Sequence, residues 1–88
     1  MQSQLTKLIQ TLGNIIKQHR ISAGKSVYKI SAESSVPKTT WHRIEKGDCS
    51  NINLASLWKI AEGLEIPPED LIKELREKLG SDFSLIEE

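Results

Sequence analysis

The sequence predicts an all-α domain built from five helices. Apolar residues recur every three or four positions in several segments, and this spacing places them on one side of a helix. Glycine, serine, asparagine or proline stands between these segments, as expected for helix ends. No segment shows the alternation of apolar and polar residues that is typical of a half-buried strand. A chain of 88 residues forms one small domain with a single modest core.

The first predicted helix follows an apolar stripe and ends near Ser22. Its start lies at Ser3 or at Thr11, so residues 1–10 are either an N-terminal extension or part of this helix. Gly13 weakens this helix locally, by about 1 kcal/mol relative to alanine. The stripe comprises Leu5, Leu8, Ile9, Leu12, Ile15, Ile16 and His19.

Four further helices follow, each bounded by residues that favour a helix end. Serine and asparagine accept hydrogen bonds from the first N–H groups of a helix, proline suits the first turn, and glycine ends a helix in the left-handed conformation. The helices are predicted at about 27–34, 37–46, 54–63 and 68–79. The starting residues are Ser26, Pro37, Asn53 and Pro68, and the stopping residues are Gly24, Gly47 and Gly80. The helical domain then covers residues 11–79, and residues 80–88 form an acidic tail.

Helices 4 and 5 each have a predicted inward face. Trp41 on helix 3 and Trp58 on helix 4 are both predicted to lie in the core. The acids on helix 5 have the spacing of a solvated face, with ion pairs such as Glu74 with Lys78. The inward residues are predicted to be Leu54, Leu57, Trp58, Ala61 and Leu64 on helix 4, and Leu71, Ile72, Leu75 and Leu79 on helix 5.

Helix 3 has an apolar side and a basic, polar side. Trp41 and Ile44 lie three residues apart and therefore share one face. The opposite face carries no acidic residue. A short helix with an apolar back and a basic front is what the major groove of DNA accepts. The residues of the basic side are Lys38, Thr39, His42, Arg43 and Lys46.

The charges of the chain are divided between its two halves. Residues 1–46 contain eight basic and two acidic residues, a net charge of +6. Residues 47–88 contain four basic and ten acidic residues, a net charge of −6. Such asymmetry indicates a nucleic-acid-binding surface with an acidic surface behind it. Chance clustering on a solvated surface is the alternative.

Four segments, 12–20, 24–26, 29–47 and 53–71, agree in order and spacing with a known family. Together they resemble the Cro/C1-type helix-turn-helix family (lambda repressor-like, XRE family) of phage and bacterial repressors. The resemblance implies a five-helix lambda repressor-like fold with the helix-turn-helix at about 26–46. It also implies a cytoplasmic transcriptional repressor that binds a palindromic operator in double-stranded DNA as a homodimer. No enzyme activity and no cofactor are expected.

The resemblance assigns residues to this function. A solvated surface helix is the alternative for the base-reading set, and helix capping is the alternative for Ser26 and Asn53. Arg20 and Glu45 match family positions whose side chains pair. The base-reading residues are Lys38, Thr39, His42 and Arg43. The phosphate contacts are Ser26, Tyr28, Thr40, Lys46, Ser50, Asn51 and Asn53. The candidate dimer surface is Ile52, the end of helix 4, helix 5, Phe83, Leu85 and Ile86.

The sequence departs from the family pattern at several positions. Val27 stands where a glutamine commonly contacts phosphate, and Lys25 stands where leucine is usual. Ser35 replaces the turn glycine and must adopt a strained conformation if the turn is standard. The loop 48–53 carries no basic residue, which weakens the case for minor-groove or backbone contacts from this loop.

Other chemistries have little support in the sequence. Residues 23–26 resemble the end of a phosphate-binding loop, but His19 occupies the position where that motif needs glycine. His42 and Cys49 are too few to bind structural zinc and lack a third group for nucleophilic catalysis. The single cysteine excludes an internal disulfide and fits a cytoplasmic location, and a redox-sensitive thiol is its remaining candidate role.

Two other functions remain open at this stage. The main alternative is an antitoxin or protein-interaction module that binds a toxin or regulator through the acidic half, and RNA binding is a third.

The first 32 residues contain no acid, a pattern also found in mitochondrial transit peptides. No run of 18 apolar residues is present, so no membrane contact is expected.

Overall fold

The computed structural model describes residues 3–86 and contains five α-helices. They are α1 (Ser3–Ser22), α2 (Val27–Ser34), α3 (Lys38–Glu45), α4 (Leu54–Leu64) and α5 (Pro68–Leu79). The all-α prediction is confirmed, and the predicted bounds of helices 2 to 5 agree to within one residue. Within residues 3–86 there is no strand, and none of the helices is both long and apolar enough to cross a membrane.

Helix α1 runs without interruption from Ser3, so residues 3–10 are part of the first helix and do not form an arm. Its buried residues include Leu12, Ile15 and Ile16. A Cβ atom on Gly13 would lie 2.2 Å from the carbonyl oxygen of Ile44 in α3. Glycine is therefore needed here because the backbones of α1 and α3 approach too closely for any side chain.

The turn between α2 and α3 is tight and is closed by serine side chains. Ser35 has φ 62° and ψ 27°, the left-handed conformation expected of a serine that replaces the turn glycine. The backbone N–H of Val36 donates to Oγ of Ser34 at 3.3 Å, and Ser34 is itself buried. A Cβ on Gly63 of α4 would lie 2.6 Å from the Ser34 Cβ. Helices α2 and α4 thus meet at two small residues.

The core fills the space between the five helices. Trp41, on the inward side of α3, is fully buried, as predicted. Ile16, Ile30, Ile60 and Leu71 add fully buried side chains from the other four helices. Because α3 contributes Trp41 and Ile44 inward, its remaining residues are turned toward solvent.

The predicted inward face of α4 is wrong at its N-terminal end. Leu54 is 72% exposed and Trp58 is 52% exposed. Ala61 and Leu64 are buried as predicted, and Ile60 and Gly63 are buried beside them. The physical reason is the contact with α2, which packs against the side of α4 that carries Gly63. Leu54 and Trp58 are not covered by this contact and stay exposed.

Helix α5 is held against α1 by packing and by one side-chain hydrogen bond. Leu71 and Leu75 are buried, whereas Ile72, predicted to face inward, is 44% exposed. His19 Nε2 lies 2.6 Å from Glu74 Oε1. Glu74 thus pairs with another helix, not with its i+4 neighbour. The tail turns back toward α1, where Gln4 Nε2 donates to the carbonyl oxygen of Ser84 at 3.2 Å.

Candidate nucleic-acid interface

The outward face of α3 is a continuous strip of polar and cationic side chains. All of its members are exposed, while Trp41 and Ile44 behind them are buried. This division follows from helix periodicity, because an eight-residue helix with two anchored residues on one side has no freedom to rotate. We call this strip the basic face. It consists of Lys38, Thr39, His42, Arg43 and Lys46.

At the start of the basic face, the Lys38 side chain is held by an aromatic ring. Its Nζ lies 5.1 Å from the centre of the Tyr28 ring in α2. A cation at this distance from a ring face is attracted by the quadrupole of the ring. The first residue of α3 and the second residue of α2 are therefore in contact across the turn. Tyr28 is 72% exposed, so burial does not account for the position of its ring.

At the other end of the basic face, Arg43 is held by the loop that follows. Its Nη2 donates to the carbonyl oxygen of Asp48 at 3.0 Å. A guanidinium has five N–H donors, so four remain for another acceptor. Cys49 is buried and fixes the start of this loop to the core. His42 stays on the exposed face and makes no hydrogen bond to that thiol.

The beginning of α2 offers backbone N–H groups beside the basic face. Ser26 caps this helix, because its Oγ accepts from the N–H of Lys29 at 3.1 Å. The N–H groups of Val27 and Tyr28 have no partner within the helix, as is general for a first turn. The side chain of Val27 packs against the core. Ser26 thus acts as the cap that the alternative interpretation expected, and its hydroxyl hydrogen can still be donated.

The beginning of α3 is a second such group of donors, which the sequence analysis did not identify. Pro37 is its N-cap and has no side chain that accepts from the first turn. The N–H groups of Lys38, Thr39 and Thr40 therefore lack a capping side chain, and Thr40 is half-buried. The absence of an Asp, Asn, Ser or Thr before α3 was the available sequence signal.

The loop residues assigned to phosphate contact differ in their local roles. Ser50 and Asn51 are exposed. Asn53 is the N-cap of α4, where its Oδ1 accepts from the N–H of Ser56 at 2.8 Å. Lys46 is exposed and forms the C-cap of α3. Asn53 therefore has a structural role whether or not it meets a ligand.

Behind the basic face, Glu45 is bound by two helices. Arg20 donates from Nε to Oε2 at 2.6 Å and from Nη2 to Oε1 at 3.0 Å. Trp41 Nε1 also donates to Oε2 at 2.6 Å. The Arg20 and Glu45 side chains are only 14% and 8% exposed. The pair joins α1 to α3 and withdraws the one acid of α3 from the basic face.

The ionisation of this pair follows from its contacts. Burial by itself raises the pKa of Glu45, but the hydrogen bonds from Arg20 and Trp41 and the nearby positive charges outweigh burial, so the net pKa is lowered. The hydrogen bond to Glu45 raises the pKa of Arg20. Both groups are charged at neutral pH.

The segment that resembled a phosphate-binding loop has another structure. A helix precedes it instead of a strand, and Gly24 takes φ 70° just after that helix ends. Lys25 Nζ lies 2.6 Å from Glu33 Oε1 and also donates to the carbonyl oxygen of Gly63 at 3.3 Å. Among the described residues, no group of three or more His, Cys, Asp or Glu side chains could hold a metal ion.

The fold is shared with a solved regulatory protein of the restriction–modification class. That protein is the restriction-modification controller protein C.AhdI from Aeromonas hydrophila. The two chains are 24% identical, with a TM-score of 0.68. The match covers 72% of this chain and 94% of C.AhdI. No protein-family model and no curated protein matches the chain. The likeness confirms the predicted fold class, and function has to be argued from the site.

Proposed function

We propose that this protein is a sequence-specific DNA-binding regulator of transcription. It acts in the cytoplasm as a repressor and binds a palindromic operator as a homodimer. The observation that carries the proposal is the basic face of α3, which is exposed along its whole length and fixed from behind by Trp41, Ile44 and the Arg20–Glu45 pair. The fold shared with a restriction-modification controller protein supports a regulatory role.

In this proposal α3 enters the major groove and reads base edges. Arg43 can make two hydrogen bonds to the N7 and O6 atoms of guanine, a contact worth roughly 1–3 kcal/mol of discrimination. Its bond to the Asp48 carbonyl limits where the guanidinium can reach and so favours one base position. Lys38, Thr39 and His42 supply the other base contacts.

The two helix N-termini position the protein on the DNA backbone. Backbone N–H groups at a helix start, together with the positive end of the helix dipole, favour a phosphate. The first turns of α2 and α3 both provide such groups at the helix-turn-helix. Phosphate contacts fix register without reading sequence. The side chains proposed to assist them are Ser26, Thr40, Lys46, Ser50, Asn51 and Asn53.

The proposed dimer surface lies outside the basic face. Leu54, Trp58 and Ile72 are 72%, 52% and 44% exposed. Together with the half-buried Leu57 they line a shared apolar depression between α4 and α5. We call these four residues the apolar face. The end of α4, which the sequence analysis included in the dimer surface, is buried through Ala61 and Leu64. A two-fold dimer through the apolar face would present two copies of α3 to half-sites about 34 Å apart.

The test is selection from a pool of random duplex DNA, followed by binding of the enriched duplex at several salt concentrations. The wild-type protein should enrich a palindrome with half-sites about one turn apart. Arg43→Ala should lose about 1–3 kcal/mol of discrimination at one base pair per half-site. Arg76→Ala removes an exposed arginine from α5 and serves as the matched control, because it leaves the basic face intact.

Weak binding that simply disappears with added salt, without enrichment of any sequence, would overturn the proposal. Such binding reflects phosphate contacts alone. In that case a pull-down that depends on the acidic tail would support the protein-interaction alternative. Competition by duplex RNA at equal salt would support the RNA-binding alternative.

A further inference from the structure

The fold does not depend on the contact between Tyr28 and Lys38. Both side chains are exposed, and neither closes the core. No carboxylate among the described residues lies within ion-pair distance of the Lys38 ammonium. The ring of Tyr28, whose centre lies 5.1 Å from Nζ, is the partner of this cation.

We propose that Tyr28 is a specificity-determining residue that acts through its ring, by positioning the Lys38 ammonium for one base pair. The inference rests on the proposed function. In this inference Tyr28 acts through its ring, and not through a contact between its hydroxyl and a phosphate. The ring would be a positioning element, and Lys38 would be the group that touches the base.

The side chain of lysine is long and flexible. A lysine side chain loses much rotamer freedom when it is ordered, and its ammonium carries no directional fork such as that of arginine. A free Lys38 would therefore discriminate poorly between base positions. A ring that restricts the side chain before binding removes part of that ordering penalty. An exposed cation–π contact corresponds to roughly a two- to five-fold change in an equilibrium constant.

The positions of the two residues define where the Lys38 ammonium is held. Lys38 is the first residue of α3 and Tyr28 the second of α2, so Nζ lies at the junction of the two helix starts. An ammonium has three donors, and the ring takes up only one side of it. The neighbouring Val27 cannot do the same work, because its side chain packs against the core.

Two substitutions separate the ring from the hydroxyl. Tyr28→Phe keeps the aromatic face and removes the hydroxyl, whereas Tyr28→Leu keeps apolar bulk and removes the ring. Because position 28 is 72% exposed, neither change should disturb folding, which circular dichroism and thermal unfolding would verify. Lys38→Met removes the cation at similar length and completes a double-mutant cycle.

Each variant would be titrated against the duplex that the wild-type protein enriches, and against duplexes changed at each base pair in turn. Tyr28→Phe should bind like the wild-type protein. Tyr28→Leu should bind about two- to five-fold more weakly and lose discrimination at the same base pair as Lys38→Met. In the Lys38→Met background, Tyr28→Leu should have no further effect.

Two results would overturn the inference while the proposed function stands. In one, Tyr28→Phe weakens binding as much as Tyr28→Leu, which assigns the effect to the hydroxyl. In the other, Tyr28→Leu has the same effect with and without Lys38. Failure of the wild-type protein to enrich any duplex is a different result, and it would overturn the proposed function and this inference together.

Discussion

At the residue scale, Glu45 links α3 to α1 on the side of α3 that lies behind the basic face. Its carboxylate accepts from Arg20 and from Trp41, and only 8% of its side chain is exposed. Removal of one partner of a buried ion pair leaves the other charge uncompensated, which costs about 3–5 kcal/mol. We therefore expect Glu45→Gln to lower the free energy of unfolding by about 3 kcal/mol at pH 7.

The pH dependence of this loss has a defined sign. The pKa of Glu45 is lower in the folded protein than its ordinary value of 4.5. Its contribution to stability is therefore fully present above that value and is lost as the pH falls through the folded pKa. Urea unfolding at pH 7 and between pH 4.5 and 3 should show the difference between wild type and Glu45→Gln narrowing in acid. Glu77→Gln, an exposed change on α5, is the control. A difference that stays constant over this range would contradict the account.

At the scale of elements, the close approach of α1 and α3 depends on Gly13. In an isolated helix, Gly13→Ala would stabilise by about 1 kcal/mol. Here the added Cβ would lie 2.2 Å from a backbone oxygen of α3, which cannot rotate away. Overpacking of this kind costs about 1–3 kcal/mol or more, so the net change should be destabilising.

Chemical denaturation of Gly13→Ala and of Asn14→Ala would test this expectation. Asn14 is the next residue of α1 and is exposed, so alanine there should leave stability unchanged or raise it by a few tenths of a kcal/mol. Destabilisation by Gly13→Ala alone would support the close approach. Stabilisation by both would show that helix propensity, not interhelical packing, decides position 13.

At the scale of the whole molecule, DNA binding and dimerisation are proposed to use two separate surfaces. The basic face lies on α3, and the apolar face on α4 and α5. Central aromatic residues commonly contribute 2 kcal/mol or more to an interface. Trp58→Glu should therefore raise the dimer dissociation constant by at least about 30-fold. The affinity of the Trp58→Glu variant for the full palindrome should fall, and the variant should still fold.

Sedimentation of wild type, Trp58→Glu and Ile21→Glu would measure this effect. Ile21 on α1 is 50% exposed, close to the 52% of Trp58, but lies outside the apolar face, so its variant should remain dimeric. A dimer that persists in Trp58→Glu would place the interface elsewhere on the molecule.

The bounds of helices α2 to α5 and the outward side of α3 could be predicted from the amino-acid sequence alone. Ser26 and Asn53 cap helices through hydrogen bonds to N–H groups three residues away. Such interactions are local, so they can be recognised without knowledge of the fold. The side of α3 that faces outward followed for the same reason, because the spacing of Trp41 and Ile44 defines its buried side.

Which apolar and charged groups meet a partner depends on how the helices pack, and local sequence patterns do not specify that packing. Trp58 has the spacing of a core residue but is exposed, because α2 packs on the Gly63 side of α4. Glu74 pairs with His19 across 55 positions of sequence. The contact between the Tyr28 ring and Lys38 was likewise not predictable from the sequence. Helix periodicity shows which residues share one side of a helix, but it does not show which other helix covers that side.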